Sequence, residues 1–195
     1  MNIIIWDTET NGLKKHHSVL SISAIKCSLT IENEKTTSNI TERYDRFYFR
    51  KPGEEIGKDA LNVNGLTDEV IEKRRDGVDY PANFCNDINS FRQFCSDTKH
   101  FVGHNIFFDK QFINFWLSNM FCTMYSNNDI LNLKRSNGQP KFPSLEETAE
   151  FYGVELDKNE LHGSMYDSFI TYQVFLKMID FEISKIKVLA FLNKK

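Results

Sequence analysis

The run Ile3-Ile4-Ile5-Trp6-Asp7-Thr8-Glu9 constrains this chain more than any other stretch. It is a short apolar segment carrying two acids two residues apart, and it ends in the turn-like Thr10-Asn11-Gly12. Side chains at i and i+2 of an extended strand point to one face, so both carboxylates leave the strand together. Two like charges held that close repel each other and are costly to strip of water. A divalent cation between them relieves both costs, because hard cations take carboxylate oxygens. The bland alternative is a solvated strand end. The D-x-E pattern does not choose between them, since it recurs at Asp180-Phe181-Glu182, inside a predicted helix where i and i+2 diverge.

The chain is long enough to bury a sizeable core in one domain over residues 1–195, with the core ending near 180 and a last helix reaching 192. A hydrophobic fraction of 41% with 17 Phe excludes a disordered segment. The formal charge of −3 argues against holding nucleic acid by bulk positive charge, but not against gripping phosphates through metal ions and backbone amides. Cys27, Cys85, Cys95 and Cys122 show no C-x-x-C spacing, so neither a zinc site nor a disulfide framework is expected, and reduced thiols point to the cytosol. With no signal-peptide pattern after Met1 and no apolar run of bilayer length, the expectation is a soluble, cytoplasmic chain with no membrane partner.

Residues 19–29 alternate as a second strand and residues 44–49 as a third, with the polar stretch 30–41 read as a long mobile hairpin tip. Such connections make an antiparallel edge on a mixed sheet. Helical pieces are predicted near 57–62 and 67–73, the second capped by Thr67. Phe84, Ile88, Phe91 and Cys95 form one face of a helix over 83–96. A buried strand at 100–103, a helix over 106–117 and a strand near 121–125 follow. The polar region 126–143 then carries Lys134, Arg135 and Lys141. Ser144 and Glu147 make a capping box for a helix that Gly153 stops. A long helix after Gly163 runs to about Ile179, with a further piece to Leu192. Strands followed by interleaved helices and strands give an α/β fold.

Two more acids face the wrong way. Asp109 lines up with Phe112, Ile113 and Trp116, and Asp167 with Ile170, Val174 and Met178, so each points along the stripe its helix should bury. Acids are almost never buried unless paired. Either acid alone could be a helix N-terminal charge, worth about 0.3–1 kcal/mol; both together are better served by a shared cation. His162 lies five residues before Asp167, and His104 five before Asp109. Either imidazole could act as a general base near neutral pH, and either could be a hydrogen-bonded structural group. Spacing does not choose.

Asp7-Thr8-Glu9, the block Val102-Gly103-His104-Asn105-Ile106-Phe107-Phe108-Asp109, and His162 followed by Asp167 resemble the DnaQ-like exonucleases. This is the DEDDh family of 3′–5′ exonucleases that includes the proofreading epsilon subunit of bacterial replicative polymerase. Asn62-Val63-Asn64-Gly65-Leu66-Thr67 and Ser144-Leu145-Glu146 look like its intervening segments, and the resemblance runs from Ile3 to about Leu176. It implies a ribonuclease-H-like, three-layer α/β fold, a five-stranded mixed sheet flanked by helices. It also implies two Mg²⁺ or Mn²⁺ ions, with Asp7 shared, Glu9 and Asp167 completing one site and Asp109 holding the other. The family pattern selects His162 as the base. The sister DEDDy group would have Tyr where this chain has Gly163. Departures are Asn64, where many members have His, and Gly163-Ser164 in place of Arg-Ala.

The implied reaction removes nucleoside monophosphates from the 3′ end of DNA, single-stranded by expectation. An RNA exonuclease and a silent module that binds nucleic-acid ends are the alternatives. Thr8, Thr10, Asn11 and Asn64 are the expected contacts to the terminal nucleotide, with Leu13 packing on its base and Phe108 either stacking there or belonging to the core. Lys14, Lys15, His16 and His17 form a small basic cluster. The expected partners are a nucleic-acid 3′ end and a polymerase held non-covalently; no sliding-clamp motif is evident.

Overall fold

The structure, a computed structural model, describes residues 1–32 and 35–194. Its organising strand is β1 (Asn2–Thr10), which sits in the middle of a five-stranded sheet of order β3-β2-β1-β4-β5. β2 (Val19–Glu32) pairs antiparallel with β1, and β3 (Lys35–Phe47) antiparallel with β2. On the other side β4 (His100–Gly103) and β5 (Asn119–Cys122) run parallel to β1. A central strand with layers on both faces must be apolar on both, which explains the unbroken Ile3-Ile4-Ile5-Trp6 run. Ile3 and Ile5 enter one core with Val174, Phe175 and Met178. Ile4 and Trp6 enter the opposite core with Phe84 and Phe91 of α3 (Phe84–Phe94). The two-residue period then carries Asp7 and Glu9 onto the face of Ile3 and Ile5.

Short helices α1 (Lys58–Asn64) and α2 (Asp68–Arg75) follow β3, and Thr67 caps α2 by accepting from the Val70 N–H at 3.2 Å. A Cβ on Gly57, just before α1, would lie 1.9 Å from the Asn11 carbonyl oxygen, while the Gly57 N–H donates to Asn11 Oδ1 at 2.8 Å. We expect Gly57→Ala to push this segment off the end of β1 and cost about 1–3 kcal/mol, the usual range for overpacking; a urea midpoint unchanged from wild type would refute the contact.

Several expectations need correction. Most of the predicted hairpin tip at 30–41 is ladder, with β2 and β3 paired through Glu32↔Lys35. Its Thr and Ile residues suit a strand even where they are polar. Residues 33 and 34 of that predicted tip lie outside the described residues. The helix predicted over 106–117 stops as α4 (Ile106–Lys110), and Trp116 is 80% exposed. The chain must turn back there to start β5 parallel to β4, and Ile113 reaches the core from a loop. The strand predicted at 121–125 ends at Cys122, and α5 (Thr123–Leu131) fills part of the expected polar region. Buried Asn127 holds that helix, donating to Thr123 O at 2.8 Å and accepting from the Tyr152 hydroxyl at 2.6 Å. α6 (Leu145–Phe151) has the predicted capping box. The long α7 (Ser164–Asp180) ends at extended Phe181, where α8 (Glu182–Leu192) begins, so Asp180 and Glu182 flank a helix break. Among the described residues, no helix is long and apolar enough to cross a membrane.

Candidate active site

α7 packs across β1 and β2 on the face that carries Asp7 and Glu9. Its inward stripe of Ile170, Val174 and Met178 is buried, and Asp167 stands at the start of that stripe with only 9% exposed. Asp109 arrives from α4 at the end of β4 and is 2% exposed. Its Oδ1 accepts from the Thr8 backbone N–H at 3.2 Å and from the Thr8 hydroxyl at 2.7 Å. Thr8 lies between Asp7 and Glu9, so these bonds bring the α4 acid to the two acids of β1. One ligand atom from each of Glu9, His162 and Asp167 lies within 4.8 Å of the other two. Four acids scattered through the chain thus meet at one end of the sheet.

The electrostatics of this cluster are unfavourable by themselves. Burial raises the Asp7 carboxyl well above its ordinary value, and the charges of Asp109, Glu9 and Asp167 raise it further. Glu9 is pushed up to about 8, first by burial and then by Asp167 and Asp109. Asp109 rises to about 7 through burial, against the opposing bonds from Thr8. Asp167 rises to about 7 through burial, and a backbone bond from His162 partly offsets it. Among the described residues none of the four forms a salt bridge. Asp167 Oδ1 is buried without a hydrogen-bond partner. An all-oxygen set with one orphaned oxygen fits a hard divalent cation.

The two histidines have different environments. The His104 ring bridges Thr123 Oγ1 at 3.0 Å and the Pro143 carbonyl at 3.1 Å, and burial lowers its pKa to about 4. It is a neutral brace. His162 is exposed, sits on the loop before α7, and adopts a left-handed backbone with φ of 66°. Such conformations are sparsely populated outside glycine and cluster at functional sites. With Asn64 it borders an open groove of about 580 Å³ that continues past Arg43, Arg74 and Tyr166.

The expected nucleotide contacts divide. Thr8, Thr10 and Asn11 are buried, and their side chains bond within the protein. Thr8 holds Asp109, Thr10 Oγ1 donates to Gly12 O at 2.9 Å, and Asn11 Nδ2 donates to Glu54 and to Glu55 O at 2.8 Å each. Leu13 is 79% exposed beside the site, and Asn64 donates to Thr10 O at 3.1 Å while favouring the charged form of Glu9. Phe108 is half-buried and packs edge-to-face on Phe112 at 5.2 Å. Sequence reasoning missed a buried hydroxyl cluster in which Ser164, the first residue of α7, meets Ser21 at 2.8 Å and Ser23 at 2.6 Å. Its one signal was two serines alternating on a buried strand.

The family model described as Exonuclease (RNase_T) matches residues 4–175. DNA polymerase III subunit epsilon of Haemophilus influenzae is 25% identical over 181 residues, covering 90% of this chain and 66% of that protein. The Escherichia coli subunit is 26% identical over 190 residues, covering 90% and 70%. The chain therefore spans about two thirds of the length of these relatives. Among solved structures, Exonuclease X in complex with 5′ overhanging duplex DNA superimposes with a TM-score of 0.62 at 16% identity, covering 91% of each chain. The nuclease domain of 3′hExo, a DEDDh family member bound to rAMP, gives 0.62 at 12% identity, covering 94% of this chain and 92% of that one. Those likenesses establish the ribonuclease-H-like fold. The chain belongs to the DnaQ-like exonuclease family, nuclease hydrolases that use divalent metal ions.

Proposed function

We propose that this chain removes nucleoside monophosphates one at a time from the 3′ end of single-stranded DNA, using two Mg²⁺ or Mn²⁺ ions. The observation that carries the reading is the meeting of four carboxylates at one end of the sheet, with Asp167 Oδ1 unpartnered and no salt bridge to any of the four among the described residues. Asp7, Glu9 and Asp167 would hold one ion, and Asp7 with Asp109 the other. Bound divalent cations would acidify the attacking water and neutralise the phosphate and the departing 3′ oxygen. His162 takes the proton of that water, and its exposed ring on the rim of the groove can pass it on to solvent. The water oxygen bonds to phosphorus as the P–O3′ bond breaks, and the departing 3′ oxygen takes a proton from solvent, leaving a 3′ hydroxyl on the shortened strand and a 5′-monophosphate in the site. Leu13 packs on the terminal base.

DNA is favoured because the curated relatives matched over 90% of this chain, at about 25% identity, are named as DNA polymerase III subunits. The same names support a polymerase as a non-covalent partner. The metal chemistry is blind to the 2′-hydroxyl, so discrimination rests on nearby contacts. Matched 5′-labelled DNA and RNA strands in Mn²⁺ test the reading. We expect single-nucleotide shortening from the 3′ end, faster on DNA. Faster RNA decay would reassign the substrate, and no decay of either would leave only the silent module.

Thr8 has its own test. Thr8→Val deletes the hydroxyl held by Asp109 but keeps the backbone N–H bond. Groups that orient a metal ligand typically contribute about 10–100-fold in metal affinity. The Mn²⁺ concentration giving half-maximal activity should rise by that factor with little change in rate at saturation. An unaltered Mn²⁺ requirement would remove Thr8 from the site.

A further inference from the structure

Phe107, Tyr125 and Phe142 are 51%, 45% and 48% exposed. They form one line, with ring centroids 5.6 Å apart from Phe107 to Tyr125 and 4.9 Å apart from Tyr125 to Phe142. Contiguous exposed apolar surface of this kind marks an interaction site more often than a lone exposed ring does. Its place is informative. β1, β4 and β5 are parallel, so their C-terminal ends share one rim of the sheet. Phe107 lies on α4, two residues before Asp109, and Tyr125 lies in the first turn of α5, which springs directly from β5. The aromatic line and the acids therefore belong to the same rim.

The line is braced and its surroundings are basic. His104 ties Thr123, at the start of α5, to Pro143, the neighbour of Phe142, so a ring engaged at both nitrogens fixes where these aromatics stand. Phe142 follows a hairpin closed by Arg135 N–H to Gln139 O at 2.8 Å and Lys141 N–H to Leu133 O at 3.0 Å. Lys134 and Arg135 on that hairpin are exposed and have no salt-bridge partner among the described residues. The acids of α5 and α6 are ion-paired: Asp129 with Lys187 and Glu147 with Lys141, while Glu146 and Glu150 share Lys158. Flat apolar rings beside uncompensated cations match one ligand chemistry, unpaired bases on a phosphate backbone.

We propose that Phe107, Tyr125 and Phe142 stack the unpaired bases upstream of the 3′ terminus, with Lys134 and Arg135 on the intervening phosphates. This rests on the nuclease reading above and adds a grip that a chain of net charge −3 otherwise lacks. Base–aromatic stacking tolerates any sequence and contributes about 5–100-fold in affinity per base. The test compares kcat/KM on a dinucleotide and on a dodecanucleotide, for wild type and for a Phe107→Leu/Tyr125→Leu variant that keeps apolar volume and loses the rings. Equal melting temperatures would show that both are folded. The dodecanucleotide should lose about 10–100-fold, against about threefold or less for the dinucleotide. In Lys134→Gln/Arg135→Gln the slope of log kcat/KM against log salt should flatten by about 1 to 1.5 for the long strand.

A loss equal at both lengths would mean that the variant disturbs the acid site and would overturn the proposal. So would no loss at either length, the result expected if the patch docks a protein. Wild type inert on both lengths would defeat the nuclease reading and this one with it, an outcome distinct from the other two.

Discussion

Asp7→Asn is expected to abolish measurable exonuclease activity and, in the same protein, to raise the melting temperature without metal. The first effect follows from Asp7 being the carboxylate that all three other acids surround, so loss of its charge removes the common ligand. The second follows from linkage. An acid whose pKa is raised by folding binds its proton more tightly in the native state. Its contribution is therefore fully present below the unfolded value near 4 and is lost as pH rises through the folded value. Here the folded values are about 7 for Asp109 and Asp167 and about 8 for Glu9. The metal-free protein should thus lose stability steadily between about pH 4 and 8. Asn at position 7 removes one of the repelling charges, and the metal-free midpoint at pH 8 should rise by about 2–8 °C, with a smaller rise at pH 5. Mn²⁺ should stabilise wild type strongly at pH 8 and the variant little. Scanning calorimetry at both pH values checks all three statements. A variant that melts lower than wild type at pH 8 without metal would show that the cluster is not under repulsion. This is a stability cost carried at a functional site, the usual trade.

His162→Asn is expected to lower kcat by about 10²–10⁴ while leaving the Mn²⁺-induced rise in melting temperature largely in place. Asn tolerates the left-handed backbone that position 162 adopts, so the loss would report the missing imidazole and not a refolded loop. His104→Asn should behave in the opposite way. It removes a brace between Thr123 and Pro143, so the protein melts lower and activity falls through misplacement. A kcat for His162→Asn within about threefold of wild type would take the general base away from position 162.

What could be read from the sequence was whatever repeats locally. The two-residue period of β1 put Asp7 and Glu9 on one face, and the helical period of α7 put Asp167 on its buried stripe, because packing on both sides enforces those patterns. The caps at Thr67 and Ser144 were legible for the same reason, being contacts between near neighbours. Asp109 is a different case: the structure does bury it, but by the bonds from Thr8, since the helical stripe used to argue for burial ends at Lys110. The histidines could not be separated by spacing because the partners that distinguish them are distant, Thr123 and Pro143 for His104, Glu9 for His162. Ser164 was hidden likewise, its hydroxyl partners lying on β2.

Anomalous diffraction from crystals soaked in Mn²⁺ with a nucleoside 5′-monophosphate tests the central claim most directly. The account predicts two anomalous peaks enclosed by Asp7, Glu9, Asp109 and Asp167, with the nucleotide phosphate against them and the His162 ring facing that phosphate. Peaks confined to other acids, with these four carboxylates left to hydrogen-bond one another, would contradict it.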